Sequence, residues 1–238
     1  MKLQKLLSFV RRAVDDYNMI QKGDKIAVGI SGGKDSLSLL IALKALQRFY
    51  PKKFEIEAIS VDLGFDNMSF EKINKFCNDL CVNYSIIKTD IAEIIFNQRK
   101  EKNPCSLCAK MRKGALNDKA QQLGCNKVAL GHNRDDVIET FFMSMFYEGR
   151  IYTFNPVTYL DRKNIVSIRP LVYVPEKDIV CFVKKNEISV LKNKCSADGN
   201  TKREEIKKFV LENRVKYDHF DEKIFGAIKR NDILGWKV

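Results

Sequence analysis

Apolar residues recur along this chain in two alternating patterns, one typical of amphipathic helices and the other of buried strands. Near the start, Leu3, Leu6, Val10 and Val14 follow helical spacing, and a short apolar run at 25–30 then predicts the first strand. Further strands are predicted at 54–62, 84–88 and 127–131, and helices at 37–49, 69–80, 109–123 and 135–147. This alternation predicts an α/β fold with a doubly wound parallel sheet, because crossover helices cover both faces of such a sheet.

Beyond residue 148 the alternation becomes irregular. Extended segments are predicted at 152–159 and 165–169, followed by helices at 175–186, 201–213 and 218–230. We therefore predict three parts: an N-terminal helix over 1–24, an α/β domain over 25–174 and a basic helical extension over 175–238.

The composition is that of a globular protein. The 238 residues are 45% apolar and 30% charged, which excludes collagen-like, low-complexity and largely disordered classes. No apolar run reaches the roughly 20 residues of a membrane span, and the start of the sequence lacks a signal-peptide pattern. We expect a cytoplasmic protein, whose seven cysteines are then better explained by metal binding, catalysis or burial than by disulfides.

The loop after the first predicted strand has the residues of a phosphate-binding turn. Backbone N–H groups and the N-terminus of the following helix converge at such a loop, and the two glycines allow an anion to approach closely. Its members are Ser31, Gly32, Gly33, Lys34, Asp35 and Ser36. The loop is not a Walker A motif, which would need Gly in place of Val28 and Ser or Thr in place of Asp35.

A second polar turn at 131–136 follows another predicted strand. Gly131 permits close approach of a nucleotide, and Asp135 or Asp136 is a candidate ligand for Mg²⁺ or for a polar group of that nucleotide. The alternative is that both carboxylates only complement the positive end of a helix. We interpret His132 as a structural residue and assign it no proton transfer.

Three cysteines lie where chemistry is expected. Cys105 and Cys108 form a C-x-x-C pair at the start of a helix, and Cys195 lies in a polar, basic stretch. By spacing alone these three thiols fit zinc or an iron–sulfur cluster with one open coordination position. The other cysteines are predicted to be buried as small apolar residues: Cys77, Cys81, Cys125 and Cys181.

The charge balance suggests a polyanionic partner. The chain has 42 Lys and Arg against 30 Asp and Glu, a net charge of +12, and basic residues concentrate at 99–113 and 184–216. Solvated helix faces are the simpler explanation for such runs. The candidate RNA-binding residues are Lys110, Arg112, Lys113, Lys202, Arg203, Lys207 and Lys208.

Four motifs together resemble a known family. The segments 31–36, 105–108, 131–136 and 168–171 occur in the order found in the tRNA 2-thiocytidine synthetases, within the PP-loop ATP pyrophosphatases. The resemblance implies ATP, Mg²⁺ and a [4Fe–4S] cluster held by Cys105, Cys108 and Cys195. It also implies catalytic roles for those cysteines, Lys34 and Asp35, and nucleotide contacts for loop 31–36, Gly131 and Asp136.

The implied function is ATP-dependent thiolation of tRNA, in which the 2-oxo group of a pyrimidine is adenylated and then replaced by sulfur. The implied partners are tRNA and a sulfur donor such as a cysteine desulfurase or free sulfide, and a homodimer is left open. Asp198 stands where some members have a further cysteine, and no cysteine precedes Cys77 or follows Cys195, a pattern that favours the thiocytidine over the thiouridine branch.

Two other functions are compatible with the residues. One is a PP-loop enzyme that adenylates a small molecule for attack by sulfur or ammonia. The other is a nucleic-acid-binding module in which the three thiols hold a structural zinc ion and the phosphate loop is inactive.

Overall fold

A six-stranded sheet forms the centre of the molecule. The computed structural model describes residues 1–65, 70–99, 104–191, 202–231, 233, 235 and 236. The strands are β1 (Lys25–Gly29), β2 (Glu55–Asp62), β3 (Asn83–Lys88), β4 (Lys127–Ala129), β5 (Val157–Leu160) and β6 (Ile165–Ile168). They are arranged in the order β3-β2-β1-β4-β6-β5. This confirms the predicted α/β class.

The sheet departs from the prediction at one edge. β5 pairs antiparallel with β6, whereas all other neighbouring strands are parallel. Only a short 3₁₀ turn, Asp161–Lys163, joins these two strands, and a parallel pair would need a crossover of a dozen residues or more. The sheet is therefore mixed.

The helices match the predicted order. They are α1 (Leu3–Asp16), α2 (Lys34–Gln47), α3 (Glu71–Asp79), α4 (Pro104–Gln122), α5 (Arg134–Glu148), α6 (Glu176–Lys185), α7 (Lys202–Lys216) and α8 (Phe220–Arg230). A π-helical segment at Glu93–Gln98 was not predicted. α4 begins at Pro104, five residues before the predicted start, because proline fits the first turn of a helix well. The C-x-x-C pair therefore lies at the N-terminal end of α4, with Cys105 in its first turn and Cys108 at the start of its second.

Both faces of the sheet are covered. In β1, Ile26 and Val28 join the core that contains α2, whereas Ala27 joins a second apolar cluster with Leu116 of α4. This alternation follows from the two-residue period of a strand. The loops after β1 and β4 consequently meet at the carboxyl edge of the sheet, where ligands bind in doubly wound folds.

The two ends of the chain pack into the same core as the sheet. Leu6 and Val10 of α1 are fully buried, as is Trp236. The Trp236 indole Nε1 donates a hydrogen bond to the Phe154 carbonyl at 3.1 Å, and the Tyr17 hydroxyl donates to the Trp236 carbonyl at 3.3 Å. The boundaries at 24/25 and 174/175 mark changes of sequence pattern, and as domain boundaries they stay a prediction. Within the described ranges, every helix is too short or too polar to cross a membrane.

The cysteines outside the proposed metal set are divided. Cys77 and Cys125 are buried, as predicted, but Cys81 and Cys181 are exposed, so that prediction was wrong for both. Cys81 lies beyond the end of α3 in a turn, with φ of 51°, and does not continue the apolar face of the helix. Cys181 lies on α6, away from the face that buries its apolar neighbours in the core.

Candidate functional site

The loop between β1 and α2 is held in shape by its own serines. The buried Ser36 hydroxyl donates to the Gly33 carbonyl at 3.0 Å and accepts from the Ser31 N–H at 3.2 Å, while the Gly33 N–H donates to the Ser31 hydroxyl at 3.3 Å. Gly32 has φ of 78°, a conformation that favours glycine. Among the described residues no side chain caps the N-terminus of α2 at Gly33, so its first turn presents N–H groups that suit an anionic ligand.

The two predicted ATP loops touch one another. A Cβ on Gly131 would lie 3.1 Å from the carbonyl carbon of Asp35 and from the backbone nitrogen of Ser36, which explains a glycine at this position. The Asn133 amide Nδ2 donates to Asp35 Oδ1 at 3.0 Å. The second loop therefore positions the first, and a direct contact between Gly131 and a nucleotide stays a prediction.

Asn133 also begins α5. Its Oδ1 accepts hydrogen bonds from the N–H groups of Asp135 at 2.9 Å and Asp136 at 3.2 Å, and the Asp136 carboxylate accepts from the Asn133 N–H at 2.8 Å. This reciprocal arrangement is a capping box. The sequence analysis assigned no role to Asn133, although an Asn three residues before an acidic residue is a recognisable signal for the start of a helix.

Lys34 lies between two carboxylates. Its Nζ is 2.8 Å from Asp35 and 2.9 Å from Glu176, and Glu176 also pairs with Lys207 at 3.0 Å. Burial lowers the pKa of Lys34, but Asp35 and Glu176 outweigh that effect and the pKa is raised. Burial raises the pKa of Glu176, yet Lys34 and Lys207 lower it overall, so the Glu176 carboxylate is charged beside the two lysines. Nothing in the pattern of residues indicates that Glu176, on the distant helix α6, belongs to this site.

A second ion cluster connects α7 to α5. Arg203 lies 2.5 Å from Asp136 and 3.0 Å from Glu139, which is 5% exposed. Burial raises the pKa of Asp136, and it raises the pKa of Glu139 to about 7 against the opposing effect of Arg203. Asp135 makes different contacts. Its carboxylate accepts a hydrogen bond from the Glu176 backbone N–H at 2.6 Å and forms an ion pair with Arg214.

These groups surround a small cavity of about 90 Å³. It is lined by Lys34, Asp35, Asn133, Asp135, Asp136, Glu139, Glu176, Arg203, Glu204 and Lys207. Pockets for small molecules are typically about 300–1,000 Å³, so this volume suits a phosphate group or a cation better than an entire nucleotide. Among the described residues, no three acidic, His or Cys side chains converge on one metal position.

The predicted metal ligands are seen in part. Cys105 is exposed and Cys108 half-buried, and their spacing of three residues places both on one face at the N-terminal end of α4. Cys195 and Asp198 lie outside the described residues. On one side of that segment, the Leu191 N–H donates to the Gly32 carbonyl at 2.9 Å, and on the other side Arg203 joins the ion cluster. The described residues before Cys195 are thus anchored at loop 31–36, and those after it at the start of α5.

The candidate RNA-binding residues fall into three groups. Exposed side chains belong to Lys110, Arg112, Lys202 and Lys208. Lys113 is half-buried, while Arg203 and Lys207 face the carboxylates of the cavity. A substitution of Lys207 would therefore also alter the surroundings of Lys34, and contacts of all seven residues with RNA stay predictions.

Comparison with known proteins settles the family. A model of the PP-loop domain family matches residues 4–214. The chain is 37% identical to the tRNA-cytidine(32) 2-sulfurtransferase of Teredinibacter turnerae over 232 residues, covering 96% of this chain and 77% of that protein. It belongs to this PP-loop sulfurtransferase family. The homologous enzyme of Dichelobacter nodosus is 38% identical over 229 residues, covering 95% and 86% of the two chains.

Solved structures agree on the fold of this sulfurtransferase. The U34-tRNA thiolase of Methanococcus maripaludis, solved with its [4Fe–4S] cluster, aligns with a TM-score of 0.77 at 24% identity over 94% of this chain and 77% of its own. The NH₃-dependent NAD synthetase of Campylobacter jejuni aligns at 0.51 and 19% identity, covering 97% and 95%. The resemblance predicted from four short motifs is confirmed, and the chain is a PP-loop sulfurtransferase.

Proposed function

We propose that this sulfurtransferase converts a cytidine of tRNA into 2-thiocytidine in the cytoplasm, with consumption of ATP. The observation that carries the proposal is the match to proteins named tRNA-cytidine(32) 2-sulfurtransferase along 96% of the chain. The geometry of loop 31–36 supports the use of ATP, since its helix N-terminus is uncapped and Lys34 lies beside it.

Loop 31–36 binds the phosphates of ATP. The N–H groups of the first turn of α2 and the Lys34 ammonium face negative charge there, and the adjacent cavity has room for a phosphate group. In the structure Lys34 is held by Asp35 and Glu176. Both carboxylates must share it with the incoming phosphates, and a divalent cation bound with the nucleotide offsets the resulting excess of negative charge.

Asp35 is the protein ligand that we assign to Mg²⁺. Its carboxylate is fixed by the Asn133 amide at 3.0 Å and lies at the start of α2, beside the phosphate loop. Mg²⁺ in nucleotide sites is commonly bound by one or two carboxylates together with phosphates and water. A site completed by the phosphates of ATP does not need three protein ligands.

The reaction has two displacements. The 2-oxo oxygen of the cytosine attacks the α-phosphorus of ATP, so that an O–P bond forms and pyrophosphate leaves. A hydrosulfide ion then attacks carbon 2, the C–O bond breaks, AMP leaves with the oxygen, and the S–H proton is released as the C=S group forms. The oxygen is a far better leaving group as part of AMP than as an oxide. Positive charge at Lys34 and at the α2 N-terminus stabilises the departing pyrophosphate.

In this proposal the thiolates of Cys105, Cys108 and Cys195 would hold a [4Fe–4S] cluster, and Asp198 would not be a ligand. An iron atom without a protein ligand supplies a position that can hold sulfide. The exposure of Cys105 on the first turn of α4 suits such a ligand. Cys195 follows Leu191 by four residues, which span at most about 14 Å when the chain is fully extended. The Leu191 N–H donates a hydrogen bond to the Gly32 carbonyl of the phosphate loop.

The exposed basic residues Lys110, Arg112, Lys202 and Lys208 bind tRNA phosphates, with a contribution from Lys113. A cysteine desulfurase or free sulfide supplies the sulfur. Replacing Lys110 and Lys208 together should lower the salt dependence of tRNA binding by about two phosphate contacts and leave ATP affinity unchanged, because both lysines lie outside the cavity lining.

The test is a reconstituted reaction with the full chain, its cluster, ATP, Mg²⁺, sulfide and unmodified tRNA. We expect AMP and 2-thiocytidine in equal amounts. Asp35→Asn should abolish both products, and Cys105→Ser should abolish 2-thiocytidine, whereas Cys81→Ser is a matched control at an exposed cysteine distant in sequence from the motifs. AMP formation that needs a small acceptor instead of tRNA would overturn the proposal.

A further inference from the structure

A buried arginine next to the site has no counter-ion among the residues that the structure describes. Arg169, the first residue after β6, is 5% exposed. Its Nη1 donates to the Asn155 carbonyl at 2.5 Å and to the Thr158 hydroxyl at 3.1 Å, but its Nε has no hydrogen-bond partner. No carboxylate of the described residues forms an ion pair with it. An uncompensated buried charge is costly, so its presence calls for an anion that binds there.

The neighbours of Arg169 are also basic. The rings of His132 and Phe154 lie 4.8 Å apart, and the Arg169 guanidinium lies 5.0 Å from the same Phe154 ring. His132 Nδ1 is buried and likewise lacks a partner. Burial is the main cause that lowers the pKa of His132 to about 3, and the charges of nearby cations lower it further. These cations are Arg169, Arg203, Lys113 and Arg112.

Lys113, which is half-buried, is a third basic side chain whose charge acts on His132 and is acted on by Arg169. Burial and the charge of Arg169 lower the pKa of Lys113, which forms no ion pair within the described ranges. It lies on α4, five residues after Cys108. The three basic side chains thus come from separate elements, and the two on the sheet side follow the carboxyl ends of β4 and β6.

We propose that Arg169, Lys113 and His132 form a phosphate-binding site, separate from loop 31–36. A guanidinium is suited to bidentate binding of a phosphate, Lys113 adds a second charge, and a neutral imidazole adds a hydrogen bond. The phosphate belongs either to the nucleotide or to the tRNA backbone. This choice of ligand rests on the proposed function, because these are its two phosphate-bearing reactants. The position between the second ATP loop and the thiol-bearing helix would hold reactants between the two chemical centres.

The experiment measures binding without turnover, using the full chain with its cluster. Two ligands are titrated separately: a non-hydrolysable ATP analogue and an anticodon stem–loop RNA. We expect Arg169→Met and Lys113→Met each to weaken binding of at least one ligand about tenfold or more, and Arg169→Lys to retain part of it. Arg162→Met, at an exposed arginine in the β5–β6 turn, should change either affinity less than about twofold.

The outcomes separate the sources of the phosphate. Weaker binding of the ATP analogue assigns the site to the nucleotide, and weaker binding of the RNA assigns it to the tRNA backbone. Because Arg169 also supports Asn155 and Thr158, Arg169→Met is checked by thermal unfolding, and Lys113→Met is the variant that decides. Unchanged affinity for both ligands in Lys113→Met overturns the proposal. Neither titration requires thiolation. A failure of the proposed reaction would therefore be seen in the reconstituted reaction and would not be confused with a failure of phosphate binding at this site.

Discussion

Replacement of Asn133 by alanine tests the coupling between the two loops. The side chain is 3% exposed and does two separate things: it caps α5 and it donates to the Asp35 carboxylate at 3.0 Å. Loss of an N-cap costs about 1 kcal/mol, and loss of a buried hydrogen bond to a charged group costs about 1.5–3 kcal/mol. We therefore expect Asn133→Ala to lower the free energy of unfolding by about 2.5–4 kcal/mol.

Asn133→Ser separates the two contributions, because serine is a good N-cap but is too short to reach Asp35. This variant should be about 1 kcal/mol more stable than Asn133→Ala. It should still release AMP more slowly than the wild type, since Asp35 loses the group that orients it. Urea unfolding measures both stabilities, provided that the slope with denaturant is unchanged.

The reasoning is refuted by either of two results. A loss below about 1 kcal/mol in Asn133→Ala would mean that the capping box and the bond to Asp35 contribute little. Equal stability of the Ala and Ser variants would mean that capping by this side chain is irrelevant to the fold.

Three further predictions concern single positions. Gly131→Ala should impair nucleotide binding, because the new Cβ would lie only 3.1 Å from the backbone of the phosphate loop. In the control Gly114→Ala on α4, nothing lies within 4 Å of the new Cβ, so nucleotide affinity should be normal and the free energy of unfolding should rise by up to about 1 kcal/mol; equal nucleotide affinities of the two variants would contradict this. The pKa of Glu139 is raised by burial from 4.5 to about 7, so ionisation of Glu139 disfavours the folded state. As the pH rises from 4.5 to 7, the wild type should therefore lose stability relative to Glu139→Gln, by about 3 kcal/mol at most. If the free energies of unfolding of the two proteins changed with pH in parallel, the prediction would be refuted. Lys127→Met should cost about 3–5 kcal/mol in urea unfolding, because it leaves the buried Asp24 carboxylate, 2.7 Å from Lys127, without its charge partner; a cost below about 1 kcal/mol would argue against that pair.

The sequence pattern was sufficient for most of the fold. Buried parallel strands such as β1 are continuous apolar runs, and the Gly-containing turn after β1 has a distinctive composition, so the sheet and the phosphate loop were both recognisable. The antiparallel edge was missed because short apolar strands have the same pattern in either direction. Cys81 was misplaced because it lies four residues after the buried Cys77, a spacing that suggests the same helix face, whereas α3 ends at Asp79.

The ion pairs of the site could not be read from the sequence. Glu176 lies on α6 and Arg203 on α7, and their charges resemble those of ordinary solvated helix faces until the fold brings them to Lys34 and Asp136. The same holds for Arg169, whose burial among other cations depends on three elements distant in the chain. Asn133 is different, because the spacing of a capping box was present and only its contact with Asp35 needed the structure.

The central claim is best tested in tRNA itself, by mass spectrometry of nucleosides from cells with and without this gene. The account predicts that 2-thiocytidine disappears when the gene is deleted, and that it returns with the wild-type gene but not with Cys105→Ser. A level of 2-thiocytidine that is unchanged by the deletion would contradict the account.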